Sequence, residues 1–375
     1  MAFSIELIAK ADAFEGLRPE WNELVERMAC PEIFYSWEWN FHMLRRFRPD
    51  DELFVILVRD TSKTIVGIAP FCIRRTRAFG YTVKVVETIV TGLGDYCNIM
   101  IRNEDHRGKA VSAILEFLQT NIDLWDVVDI SELCSRDSTT IHLLYGAQRH
   151  PAWSVRAHVG TPVAVLDFKS NRIAKDEKQI RQIRNRLKTL ESRGFKIRIG
   201  CDDFGESWPA FCELHRKAWP ASPFWDVRGQ SFFDDLRLSP GLKGKLEFSI
   251  VEFNGRPVAM HFGFVDARKV YFYMPAMDRE FRKDRVGSVL LYAMIEHYAK
   301  THAAFDFLRG LEGYKLWYTD ELDANFRLVI YRSANLAAFA YNLGGVTRRY
   351  AVELGLPKAV AQFARSCLAR IGSRK

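Results

Sequence analysis

The stretch LEFSIVEFNGRPVAMHFGFVDARKVYFYMPAMDREFRKDRVGSVLLYAMIEHYAK, residues 246–300, holds three strands and a helix in succession. Apolar runs at 246–253, 257–265 and 270–277 are separated by Asn254-Gly255 and by Asp266-Ala267-Arg268. Asn-Gly between apolar runs is a strong hairpin signal, because both residues tolerate the positive φ of a two-residue turn. Residues 286–300 follow with apolar positions at helical spacing, then a strand at 304–308. Between the third strand and the helix stands DREFRKDRVGSVL, 278–290. A helix start offers free N–H groups and the positive end of its dipole, which favour anions. Gly287 permits close backbone approach there, and Arg282, Lys283 and Arg285 add positive charge, so Arg282, Lys283, Arg285, Val286, Gly287 and Ser288 form a candidate phosphate loop.

Outward from this block, the same order recurs. Upstream, KDEKQIRQIRNRLKTLESRG reads as an amphipathic helix ending at Gly194, followed by a strand at 196–199 and helical patterns at 207–219 and 232–238. In the first half, a strand at 4–8, helices at 14–28 and 36–47, strands at 53–59, 65–73 and 83–90, a helix at 106–119 and a strand at 127–132 repeat the plan. Ile65-Val66-Gly67-Ile68-Ala69 resembles Asn254-Gly255-Arg256-Pro257-Val258-Ala259, and each half ends on a strand bearing an Asp, Asp129 and Asp306. The pattern predicts a duplicated mixed α/β (α+β) unit, each copy a largely antiparallel sheet flanked by helices. The expected domains are 1–160, 161–333 and a tail, 334–375, with the first boundary within 155–172.

Composition bounds the function. The 375 residues are 48% hydrophobic and 27% charged, which excludes a disordered or collagen-like chain. A net charge of +8 suits phosphate-bearing ligands, nucleic acid or an anionic membrane without choosing among them. Seven cysteines, none in C-x-x-C spacing, and the absence of H-E-x-x-H argue against a zinc site or a disulfide framework, and no metal is expected. The N-terminus lacks the cationic head and apolar run of a signal peptide, and no stretch reaches a membrane span, so a cytoplasmic location is expected.

Three further segments could carry chemistry. FDFLRGLEGYKLWYTDE, 305–321, runs from a strand end into acid–base candidates Asp306, Glu312, Tyr314 and Lys315, placed as groups that border a ligand crevice. The basic helix bearing Arg181, Arg184, Arg186, Lys188 and Arg193 has an apolar opposite stripe, Ile180, Ile183, Leu187 and Leu190, and reads as a solvated amphipathic face. No aromatic platform accompanies it, which disfavours nucleic acid. Gly92-Leu93-Gly94-Asp95-Tyr96 is a glycine-rich turn without a full dinucleotide fingerprint.

Taken together, Arg184, Arg186-Leu187, Leu190 and Gly194, Leu214-His215-Arg216 with Trp219, the Asn254–Ala259 hairpin, Tyr271-Phe272-Tyr273, Asp278, Phe281, Gly287, Leu290-Leu291, and Asp306-Phe307 through Arg309-Gly310, Glu312, Tyr314-Lys315 and Trp317 resemble the CelD-type acetyltransferases of the GNAT superfamily, a group named for cellulose biosynthesis. Ser36-Trp37-Glu38-Trp39 and Asp95-Tyr96 extend the resemblance into the first half. It implies a tandem pair of GNAT folds similar to FemAB-type aminoacyltransferases. It implies an N-acyltransferase, with acetyl-CoA as donor and an amino sugar of an extracellular polysaccharide, or its precursor, as acceptor. A degenerate pair acting as a binding or scaffold subunit, or an aminoacyltransferase, are the alternatives. Under this resemblance Glu312 or Asp306 is the base, N–H groups near 274–277 polarise the carbonyl, Tyr314 protonates the leaving thiolate and Lys315 pairs with phosphate or oxyanion. The acceptor is expected between the two halves near Trp37, Asp95, Tyr96 and Arg184. The superfamily's pyrophosphate loop reads Gln/Arg-x-x-Gly-x-Gly/Ala. With Gly287 as its first glycine, Asp284 falls in the basic position and Val289 in the last small one.

The tail reads as a basic amphipathic helix from Pro357, with Val360, Phe363, Ala364, Cys367, Leu368 and Ile371 at helical spacing and no acidic residue after Glu353. It predicts contact with an anionic membrane at the inner face, an anionic nucleotide such as cyclic di-GMP, or packing on its own domain.

Overall fold

The computed structural model describes residues 3–353 except 171–174, 221, 223, 225 and 226. The helix expected from Pro357 lies outside the described residues. In chain order the elements are β1 (Ser4–Ile8), α1 (Ala11–Gly16), α2 (Arg18–Glu26), α3 (Trp37–Phe47), β2 (Glu52–Arg59), β3 (Ile65–Ala78), β4 (Tyr81–Thr88), β5 (Met100–Ile101), α4 (Arg107–Thr120), β6 (Val127–Leu133), α5 (Ser138–Gln148) and β7 (Trp153–Asp167). They continue with α6 (Glu177–Ser192), β8 (Lys196–Cys201), α7 (Phe204–Ala218), α8 (Val227–Leu238), β9 (Leu246–Phe253), β10 (Arg256–Val265), β11 (Lys269–Met277), α9 (Val286–Tyr298), β12 (Ala304–Arg309), β13 (Leu322–Arg332) and α10 (Leu336–Glu353). The stretch expected as one helix over 14–28 is two, since the chain turns at Leu17 and restarts with Pro19 in the first turn of α2, where a missing N–H is harmless.

Two compact units result: residues 1–160 with 325–375, and residues 161–324. In the first, β1, β2, β3 and β4 pair antiparallel in sequence, β6 joins β4 in parallel, and β13 closes the sheet antiparallel on β6. The runs Leu53-Phe54-Val55-Ile56-Leu57-Val58 and Ile65-Val66-Gly67-Ile68-Ala69 are continuously apolar because helices cover both faces. Ile114 and Leu118 of α4 pack on one face, and Ala338 of α10 packs on Val83, Val85, Val127 and Val329 of the other. Helix starts are fixed by side chains: the Ser36 hydroxyl accepts the N–H of Trp39, and the Asp137 carboxylate accepts that of Thr139.

The second unit repeats the plan. β8, β9, β10 and β11 pair antiparallel, β12 joins β11 in parallel, and residues 163–167 of β7 close the sheet antiparallel on β12. Asn254 and Gly255 adopt φ of 51° and 74°, the expected hairpin turn. Ile180, Ile183 and Leu190 of α6 interleave with Val286, Val289, Leu290 and Met294 of α9 over one face. Phe211 of α7, tilted, and Phe233 of α8, edge-on, pack around Phe262 on the other.

Each unit is therefore a mostly antiparallel mixed sheet flanked by helices, with the duplication the sequence suggested. The closing strands are traded: the strand after α5 completes the second sheet, and the strand after β12 completes the first. Residues 325–333, expected with the second domain, therefore belong to the first unit, and the boundary at 160 runs through a strand.

Candidate active site

Parallel strands carry their C-terminal loops to the same end of a sheet, and a crevice opens where two such strands part. β11 and β12 pair only at Lys269↔Ala304, Val270↔Phe305 and Tyr271↔Asp306. Local irregularities in both strands accompany the parting. In β11, Phe272 and Tyr273 oppose the single residue Gly263, a bulge relative to β10. The His261 ring fills it, with Nε2 accepting the Tyr273 N–H at 3.0 Å and the ring stacked on Phe272 at 4.6 Å. A Cβ on Gly263 would lie 2.5 Å from the Tyr271 carbonyl oxygen, so only glycine fits. Burial pushes the His261 imidazole down to about 3. The ring is thus neutral, and because Nε2 accepts, Nδ1 carries the proton. In β12 the register shifts between Asp306 and Arg309, Leu308 has φ 60° and Gly310 φ 99°. The buried Asp306 carboxylate holds this kink, accepting the Leu308 N–H at 2.9 Å and pairing with Lys269 Nζ at 3.0 Å.

The loop after β11 is a 3-10 turn, Arg279–Asp284, capped by the Asp278 side chain on the Glu280 N–H. Arg285 then takes φ 56°, ψ 33°, left-handed geometry that a glycine adopts without strain, and α9 begins at Val286. The first amides of α9 have no acceptor within the helix. A Cβ on Gly287 would stand 3.3 Å from Met277 Sδ, so a small residue is favoured there. The backbone thus sets the motif register. Arg282 takes the basic position, Arg285 the first glycine position and Gly287 the last small one, which corrects the register with Asp284 and Val289. Asp284 is instead neutralised by Arg193 at 2.5 Å. An open groove of about 460 Å³ runs beside this loop, lined by Gln182, Asn185, Arg186 and Thr189 of α6 and by Arg285. Two guanidinium groups and the dipole of α9 give it the chemistry that suits a phosphate-bearing ligand. The residues present fit the diphosphate of a CoA-type donor.

The loop after β12 places Glu312, Tyr314 and Lys315 at the same end of the strands. Lys315 Nζ donates to the carbonyls of Arg309 at 3.0 Å and Gly310 at 3.1 Å and lies 2.8 Å from Glu312 Oε2. With 3% of its side chain exposed, it shapes the loop and is not placed to hold a phosphate or an oxyanion. Asp306 is likewise engaged with Lys269 and the Leu308 amide and fully buried, which removes it as an exposed proton acceptor. Glu312 keeps 55% of its side chain exposed. Burial and the neighbouring Glu312 carboxylate push the Tyr314 phenol well above its ordinary value, so it stays protonated.

Other expected site residues lie elsewhere. Arg184 belongs to the second unit, where its Nε donates to the Tyr292 hydroxyl of α9 at 2.9 Å. Trp37 and Tyr96 are core aromatics of the first unit. Trp37 stacks on Phe41 at 4.3 Å and donates to the Phe14 carbonyl, and the Tyr96 hydroxyl accepts from Arg136. Asp95 is buried in the same unit, and its carbonyl accepts from Asn325. His261 was not anticipated; its signal was a lone histidine two residues before a glycine in an apolar strand. Nor was Glu247, whose carboxyl burial pushes up to about 7 beside the Tyr298 hydroxyl. Among the described residues no group of three or more His, Cys, Asp or Glu is placed to hold a metal ion.

This arrangement of parted strands, arginine-bearing loop and basic helix coincides with a match of residues 177–316 to the family model described as an acetyltransferase (GNAT) domain. Residues 177–316 form a GNAT acetyltransferase domain. The chain is thus an acyltransferase by its second unit. Among solved structures the chain is similar to FemX, with a TM-score of 0.59 and 12% identity over 90% of this chain and 99% of that one. It is also similar to the C-terminal domain of a putative lysylphosphatidylglycerol synthetase from Agrobacterium fabrum, with a TM-score of 0.53 and 9% identity over 88% of this chain and 95% of that one. For L-PGS from Bacillus licheniformis the TM-score is 0.52 and the identity 11%, over 89% and 95% of the two chains. At these identities the likeness is one of fold. No curated protein shows significant sequence similarity to the chain. The GNAT domain covers the whole candidate site, from α6 to Lys315.

Proposed function

We propose that the GNAT domain transfers an acetyl group from acetyl-CoA to the amine of an amino sugar, in an extracellular polysaccharide or its precursor. The observation that carries this reading is the parting of β11 from β12 beyond Tyr271 and Asp306, with the Arg282–Gly287 loop and the start of α9 at its mouth. A thioester donor supplies an activated acyl carbon and a thiolate leaving group. Arg285, Arg186 and the first amides of α9 hold its phosphates. The Asp278 N–H bonds the Val258 carbonyl of β10. Strand alternation turns the Met277 amide the other way, toward the open side, as a donor to the developing oxyanion. Pro275 has no N–H to offer.

Glu312, half exposed, takes the ammonium proton through water so that the amine can attack, since an ammonium is not nucleophilic. The new C–N bond forms, the C–S bond breaks, the Tyr314 phenol gives its proton to the thiolate, and the second proton shed by the acylated nitrogen restores the phenol through water. Asp306 and Lys315 act as positioning residues for the β12 kink. Acetyl transfer to a panel of amino sugars, alongside calorimetric titration of acetyl-CoA, tests the reading. Binding without transfer to any amine would leave a binding subunit, and absence of binding would remove acetyl-CoA as donor.

A further inference from the structure

The first unit carries a patch that no catalytic role uses. β3 and β4 meet in the two-residue turn Phe79-Gly80, between the paired residues Ala78 and Tyr81. Phe79 has φ 48° and Gly80 φ 87°. Asn or Gly normally fills the first of these positions; a bulky aromatic there is strained, and strain of this kind persists where the side chain has a use. Tyr81 beside it is 45% exposed. The Phe79 ring lies against α10, 3.7 Å from where a Cβ on Gly344 would stand.

α10 itself is two-faced. Ala338 and Tyr341 pack on the sheet, while Leu336, Phe339 and Leu343, at spacings of three and four, are 66%, 64% and 41% exposed. An exposed apolar stripe on a helix that a strained aromatic packs against has the character of an interaction surface. Its charge says what covers it. Arg77 stands exposed on the same hairpin with no ion pair among the described residues. The sequence of α10 includes Arg348 and Arg349, and the chain after it holds Lys358, Arg365, Arg370, Arg374 and Lys375, with no acidic residue after Glu353. A second copy docked by twofold symmetry would set this cationic surface against itself. A phospholipid bilayer with anionic headgroups satisfies both halves of the chemistry, apolar side chains at the acyl boundary and cations at the phosphates. No helix among the described residues is long and apolar enough to cross a membrane, so the contact is with the surface.

We infer that Phe79, Tyr81, Leu336, Phe339 and Leu343 form a docking face for an anionic membrane surface, with Arg77 and the basic C-terminal sequence supplying the electrostatic attraction. The test is co-sedimentation of the full chain with vesicles of phosphatidylcholine alone and of phosphatidylcholine with phosphatidylglycerol. The parent sediments with the anionic vesicles and is released by salt. The triple variant Leu336→Ser/Phe339→Ser/Leu343→Ser loses about tenfold or more in partitioning, at unchanged melting temperature and acetyl-CoA binding. Phe79→Asn, which relieves the turn, melts no lower than the parent and also binds vesicles less. Replacing Lys358, Arg365, Arg370, Arg374 and Lys375 with Gln weakens binding. The inference is overturned if the parent ignores anionic vesicles or if the triple variant binds as the parent does. It is also overturned if neutralising the tail leaves binding unchanged or strengthens it, or if the triple variant abolishes a dimer seen by light scattering.

Discussion

His261 on β10 accepts the backbone N–H of Tyr273 on β11 at 3.0 Å, so one neutral ring occupies the bulge beside which the two parallel strands of the GNAT domain part. Replacing it with Ala leaves a buried N–H without an acceptor and should destabilise the fold by about 1–3 kcal/mol. His261→Gln offers an oxygen near the position of Nε2 and should recover most of that loss. Urea unfolding at neutral pH checks both; equal destabilisation by Ala and Gln would remove the hydrogen bond as the reason.

The same ring predicts acid sensitivity. Burial holds His261 at about 3 and His215 at about 4, against an ordinary value of roughly 6.5. Between these limits the unfolded chain binds protons that the folded chain does not. The stability is fully present above about pH 6.5 and is lost as the pH falls toward the folded values. His261→Gln should flatten this slope between pH 6.5 and 5, measured by denaturant midpoints; an unchanged slope would assign the acid sensitivity to other groups.

Glu247 has the opposite sign. Its folded value is raised to about 7 by burial, so its contribution is fully present below the ordinary value of about 4.3 and is lost as the pH rises through 7. Glu247→Gln, which keeps an acceptor for the Tyr298 hydroxyl, should stabilise the protein at pH 8 by the order of 2 kcal/mol and change little at pH 5. Thermal melts at the two pH values decide it.

Arg285 should show stability and binding moving apart. Arg285→Gly relieves a left-handed side chain and should raise stability by up to about 1 kcal/mol while weakening acetyl-CoA binding. Gly287→Glu should lower acetyl-CoA affinity by an order of magnitude or more by crowding Met277 and repelling phosphate, with Gly287→Ala milder because Met277 can yield a few tenths of an ångström. Calorimetry on the three folded variants is the measurement; full affinity in Gly287→Glu would place the phosphates elsewhere.

In the loop after β12, Glu312→Gln and Tyr314→Phe should each lower kcat by roughly a hundredfold to ten-thousandfold with acetyl-CoA binding intact. Lys315→Met should instead act on the fold, since it strips three carbonyls, those of Leu308, Arg309 and Gly310, and Glu312 of their buried cation, a loss of about 2–4 kcal/mol. A Lys315→Met protein of normal melting temperature with slow turnover would return that residue to the chemistry.

Much of this fold is legible in the residues. Asn254-Gly255 announces its turn, the apolar runs of β9, β10 and β11 announce buried strands, and Gly287 marks a helix start near β11. What the sequence hides is partnership. Lys315 reads as a free cation until its carbonyl partners are seen, and Trp37 reads equally well as a sugar platform or as core. The register of the loop before α9 was invisible because an arginine occupies the left-handed position that glycine usually marks. β7 and β13 escaped notice because their partners, β12 and β6, are remote in sequence, and no local pattern records which sheet a strand will join.

That trade of closing strands has a consequence for biosynthesis. β6 acquires its neighbour only when Phe326, Leu328 and Ile330 have left the ribosome, long after β6 itself. The N-terminal unit, though translated first, is the last to be able to finish its sheet, and until then β6 presents an unpaired strand edge. The GNAT domain lies wholly within that interval, so the catalytic half of the chain can mature while the half begun before it waits.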